Sequence, residues 1–169
     1  MLKFANGAIA LGVLAMAAPS IAATRSDAEA CLIDGTPPQV RTVLEKFTQS
    51  DFKPAPEVLR AFNLSMMQCE KKHGWTRQET FAAGAYAGFV LRYRNEERAA
   101  LARGVSPARV GALKSVASNI HYRNFEVAHA ALRAEGYGSF EQFKTTSDFG
   151  LVEKWMGVLE GGRKLEAGG

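Results

Sequence analysis

Two short stretches of the chain have residue types and spacing that could do chemistry. Glu70-Lys71-Lys72-His73 and Glu126-Val127-Ala128-His129 are both Glu-x-x-His, and the chain holds only 3 histidines, so two of them stand in this pattern. On a helix, residues three apart share a face. Dimetal carboxylate bundles use two such pairs plus a glutamate from each of two further helices. Glu45, with Glu79 or Glu96, would fill those parts. Against this, Glu70 and His73 fall at the end of a helical pattern in a run of charge. A histidine there can simply interact with the last carbonyls of the helix. The set Glu70, His73, Glu126 and His129 therefore stands as an alternative metal site, and the leading reading has no cofactor. His121 and His129 lie eight residues apart, roughly 12 Å along a helix axis, which is too far to share one ion.

Hydrolytic signatures are scarce. The chain has no GxSxG, no HExxH and no paired cysteine–histidine motif. Asn95-Glu96-Glu97 could offer a carboxylate for glycan cleavage, but a glycosidase needs two placed carboxyls, one kept protonated by an apolar pocket. Arg94 and Arg98 flank this pair and favour the ionised forms. A peptidoglycan-acting hydrolase using Glu96 is the third reading.

The run Arg92-Tyr93-Arg94-Asn95-Glu96-Glu97-Arg98 interleaves arginine with tyrosine. Both are enriched among interface hot spots, because each joins contact area to directed hydrogen bonds. With Tyr122 and Arg123 on the next helical segment, the expected partner contacts are Arg92, Tyr93, Arg94, Arg98, Tyr122 and Arg123.

The elements that must position these residues read as helices throughout. Ser26-x-x-Glu29 is a capping-box pattern opening a short helix through Cys31. Thr36 and Pro37 open a second, with Val40, Val43, Leu44 and Phe47 at helical spacing. Lys53-Pro54-Ala55-Pro56 is a break. The third helix runs from Pro56 to His73, with Val58, Leu59, Phe62, Met66 and Cys69 along one face, and stops at Gly74. Thr76-x-x-Glu79 opens a long helix to Arg103, stopped by Gly104. Ser106 and Pro107 start another long one to Glu135, stopped by Gly136. So short a connection implies an antiparallel hairpin. Ser139-x-x-Gln142 caps a short helix, and Ser147 or Asp148 caps the last.

Gly84 and Gly88, four apart in the first long helix, imply a close helix crossing, because small residues let backbones approach. In the hairpin they fall opposite Tyr122 and Phe125, which are expected to lie across the notch. Near the turn, Ala99 and Ala100 should face Gly111 and Ala112. Arg92 and Arg94 follow too soon for a membrane GxxxG.

The ends carry an address. Lys3, an apolar run from Ala8 to Ala18, and Ser20-Ile21-Ala22 have the order of a secretory signal peptide. The run is shorter than the roughly 20 residues of a membrane span. Cleavage leaves about 147 residues, enough for one domain, and removing Lys3 lowers the formal charge of +4 to +3. That balance is too weak to argue for nucleic acid. Cys31 and Cys69 are the 2 cysteines, and an even count in an oxidising compartment reads as a disulfide.

The expectation is therefore an all-α, small disulfide-linked helical bundle built around a long antiparallel helix hairpin. Residues 1–22 are a cleaved signal peptide, 23–160 a single helical domain and 161–169 a flexible tail. It reads as a periplasmic or secreted binding protein without a transmembrane span after cleavage. Its partner is another envelope protein, and it acts as an inhibitor, an immunity-type protein or a chaperone-like factor.

Overall fold

The structure is a computed structural model that describes residues 22–46 and 53–168. All but the last residue of the expected leader, and Phe47, lie outside them. The described residues hold eight α-helices, one π-helical segment and no strand. α1 (Arg25–Ala28) runs directly into π1 (Glu29–Asp34), followed by α2 (Pro38–Lys46), α3 (Pro56–His73) and α4 (Arg77–Ala102). Then come α5 (Pro107–His121), α6 (Phe125–Ala134), α7 (Phe140–Lys144) and α8 (Phe149–Glu166). No described helix is long and apolar enough to cross a membrane. A Cys31–Cys69 disulfide ties π1 to α3 across a sequence separation of 38.

α4 is the axis of the bundle. At 26 residues it spans about 39 Å, and α8, α2, α3, α1 and π1 all pack against it. It turns into α5 through the short loop at 103–106, and α8 packs on both arms. The core runs along this axis: Leu32, Val40, Leu44, Ala83, Ala87, Leu113, Val116, Val152 and Leu165 are all buried.

Local chemistry sets the helix ends. The Thr76 box is present in full: Glu79 N–H donates to Thr76 Oγ1 at 3.2 Å, and Thr76 N–H to Glu79 Oε2 at 2.7 Å. Ser106 and Ser139 cap as their spacing predicts. The first helix differs. Thr24, not Ser26, is its cap, accepting from Asp27 N–H, which leaves Glu29 free for α4. Thr36 donates its hydroxyl to Leu32 carbonyl at 2.9 Å. Asp148 stands at the head of α8 without a capping bond. Its carboxylate accepts instead from Tyr137 Oη at 2.6 Å and Arg109 Nε at 3.1 Å.

Further corrections concern helix ends and packing. The second long helix does not reach Glu135 unbroken; it ends at His121. There Asn124 N–H donates to Asn119 carbonyl, Arg123 N–H to Ile120 carbonyl, and Arg123 has φ 63°. This is a Schellman stop, the geometry that Gly74, Gly104 and Gly136 supply elsewhere at positive φ. At Arg123 the left-handed residue carries a side chain, so no glycine marks it in the sequence.

Tyr122 and Phe125 are exposed and do not fill the glycine notch. A Cβ on Gly84 would stand 2.7 Å from Met66 Cε, and one on Gly88 2.6 Å from the Leu44 carbonyl oxygen. The notch is thus filled from within, by α3 and α2. Gly111, expected against Ala99 and Ala100, has no neighbour within 4 Å of such a Cβ. Finally, the segment expected as a flexible tail continues α8 to Glu166, with Gly161, Gly162 and Leu165 buried.

Candidate functional site

The largest opening among the described cavities lies between α3 and the start of α4. It encloses about 470 Å³ and is lined by Phe62, Asn63, Met66, Met67, Glu70, Arg77, Thr80 and Phe81. Its position follows from how α3 divides its faces. Phe62, Ser65, Met66 and Cys69 are buried on α4, π1 and α2. The next flank is also apolar yet open: Met67 is 63% exposed and, across the groove, Phe81 59%. Single exposed apolar residues are ordinary on protein surfaces, whereas a contiguous set lining a groove marks a contact surface.

Gly84 shapes the floor. Because it lacks a Cβ, Met66 folds its methyl down against α4, leaving the groove open above it. Methionine adapts its three rotatable bonds to irregular partners. The lining carries one charge of each sign. Arg77 is the one cation among the lining residues, its guanidinium lying 5.9 Å from the Phe81 ring centre. Glu70 is the one carboxylate among the lining residues.

The structure distributes the expected contact residues differently. Tyr93 is 3% exposed and is an interior residue. Its hydroxyl donates to Glu97 at 3.0 Å, and burial, then that bond, pushes its pKa up. Arg94 pairs with Glu29 at 2.6 Å and Asp34 at 3.8 Å. Arg92 is half-buried with its guanidinium 4.6 Å from the Phe89 ring centre, and burial lowers its pKa. Arg98 is exposed and bonds Asn95 on its own helix. Tyr122 and Arg123 are exposed at the turn between α5 and α6.

The two Glu-x-x-His pairs lie on α3 and α6. Among the described residues, no three His, Cys, Asp or Glu side chains come together in a way that could hold a metal ion. His73 stacks on Trp75 at 4.7 Å, with Nδ1 3.8 Å from Asp27. His129 lies 6.3 Å from the Phe140 ring. Of the supporting glutamates, Glu79 is engaged in the α4 cap and Glu96 with Arg103 at 3.2 Å. That pairing leaves Glu96 with a cation beside it and not in an apolar pocket.

The groove was missed because one apolar face sufficed to dock α3. The signal lay in the surplus: Met67 and Phe81 fall off that face with no core role to fill. Comparison with family models, curated proteins and solved structures found no match.

Proposed function

We propose that this chain is an exported, non-enzymatic binding protein of the cell envelope whose groove between α3 and α4 receives an amphipathic helix of another protein. Helix-in-groove recognition needs an apolar trough that accepts side chains at i, i+3, i+4 and i+7. The single observation that carries the reading is the exposed Met67–Phe81 trough of about 470 Å³. Arg77 and Glu70, the two charged lining residues, would pair with residues of opposite sign that flank the partner's apolar stripe. Acting by occlusion, the protein would serve as an inhibitor, an immunity-type protein or a chaperone-like factor. The adaptable methionines suit the chaperone-like role best, since Met-rich surfaces repack around varied partners. The disulfide supports an oxidising compartment, periplasmic or secreted.

Native mass spectrometry of wild type and Met67→Glu, each recovered from the host envelope, tests this. The expected result is a stoichiometric complex with wild type, lost with Met67→Glu although the variant is folded. A complex retained by Met67→Glu places the interface elsewhere and contradicts the reading.

A further inference from the structure

A second site, independent of the groove, lies on the other side of α4. Lys114 Nζ sits 4.6 Å from the Tyr93 ring centre and 4.7 Å from that of Trp155, and 3.3 Å from Glu97 Oε1. The two rings meet edge to face at 4.8 Å. Tyr93 is fixed through Glu97, and Trp155 Nε1 donates to Ser118 Oγ at 3.3 Å. Two aromatic faces and a carboxylate around one ammonium form a cation cage. Here the chain's own lysine occupies it.

The cage opens into a cavity of about 190 Å³ whose lining also includes Glu29, Tyr86 and Arg94. Glu29 accepts from Tyr86 Oη at 2.8 Å and Arg94 at 2.6 Å. The lining thus balances two carboxylates, Glu29 and Glu97, against two cations, Arg94 and Lys114, so swinging Lys114 out leaves Glu97 and the two rings to receive a positive guest. Lys114 sits on a flexible four-carbon stem, about a third exposed, which can carry its ammonium out to water.

We propose that this cavity binds a compact organic cation, a primary or quaternary ammonium head, and that Lys114 is a resident plug which the ligand displaces. The aromatic walls would hold the cation's apolar surface, and Glu97 its charge. An anion is the opposite occupant and would be drawn to Arg94 and Lys114.

The test is a titration with tetramethylammonium chloride, followed by the indole N–H resonance of Trp155 with that of Trp75 as internal control. Sodium acetate serves as the anion probe. Wild type should respond at Trp155 alone. Lys114→Ala, which removes the competitor, should respond at roughly tenfold lower concentration, the scale of one cation–π contact. Glu97→Gln should lose the response while its melting curve confirms a folded chain. The inference is overturned if Lys114→Ala gives no shift at Trp155, if Trp155 and Trp75 move together, or if acetate alone moves Trp155.

Discussion

The ring of Phe89 lies against the backbone of Gly157: a Cβ on that glycine would stand 2.7 Å from Cδ1 of the ring. One turn on, a Cβ on Gly161 would stand 2.8 Å from the ring's Cδ2. A pair of glycines four apart on α8 thus takes an aromatic side chain of α4, as Gly84 and Gly88 on α4 take Met66 and the backbone of α2. This double notch lets α4 serve as the common axis for α2, α3 and α8.

Gly157→Ala should therefore destabilise the fold by about 2 kcal/mol, the usual scale of overpacking a core. Phe89→Leu in the same chain should restore much of the loss, because the clash is with the ring. Urea unfolding of the two single variants and the double variant reads this coupling. Simple additivity would show that the ring and the glycine do not interact.

The notch on α4 makes an ordered prediction. At Gly84 an added Cβ meets the mobile end of Met66, whereas at Gly88 it meets the Leu44 carbonyl, which is backbone. Met66 can move aside, and alanine gains about 1 kcal/mol of helix propensity over glycine. Gly88→Ala must shift α2 and should cost about 3 kcal/mol. Gly84→Ala should come within about 1 kcal/mol of wild-type stability yet narrow the groove. Thermal melts of both variants give the order, and the reverse order contradicts the packing described.

Arg123 holds a positive φ without being glycine, which costs a side chain about 1 kcal/mol. Arg123→Gly should raise stability by about that amount, and Arg123→Ala should not. Chemical denaturation of the two variants checks this.

Removing the disulfide by Cys31→Ser with Cys69→Ser frees a loop of 38 residues and should cost about 4 kcal/mol on loop-entropy grounds. Denaturation with and without reductant gives the same number by a second route.

Alkaline pH should weaken the fold through its tyrosines. Burial, followed by the hydrogen bond to Glu29, raises the pKa of Tyr86; burial and Glu97 do so for Tyr93, and burial and Asp148 for Tyr137. A pKa raised in the folded chain means that the neutral phenol is favoured there. The resulting stabilisation is full below the ordinary value of 10.0 and is lost as pH climbs above it through the raised values. Phenolate absorbance of the native chain should lag behind that of the denatured chain above this point. Superimposable titration curves would contradict the buried geometry.

How much of this was legible in the sequence follows from what each feature depends on. Helix starts at Thr76, Ser106 and Ser139, stops at Gly74, Gly104 and Gly136, and the Cys31–Cys69 pairing rest on local chemistry or simple counting. The stop at Arg123 carries no glycine to announce it. The partners of Gly84 and Gly88 depend on which helix crosses α4, and hairpin register alone assigned them to Tyr122 and Phe125. The glycines of α8 read as a loose end because Gly161 and Gly162 lower helix propensity; burial against Phe89 and Arg25 overrides it. At the candidate sites, Tyr93 and Arg94 stand out by composition, but Tyr93 is buried and Arg94 pairs with Glu29 and Asp34 of its own chain. The groove residues Met67 and Phe81 passed unnoticed, because exposure is a property of the assembled bundle.

The most direct test of the groove is methionine-methyl NMR during titration with an amphipathic helical peptide that carries a leucine stripe. The methyl signals of Met66 and Met67 should move together, while that of Met156, which packs against the core from α8, stays in place. The same peptide with serine in place of the leucine stripe should bind at least about tenfold more weakly, because the apolar trough then has nothing to receive. Unmoved Met66 and Met67 signals at saturating peptide, or equal binding of the two peptides, would contradict the account.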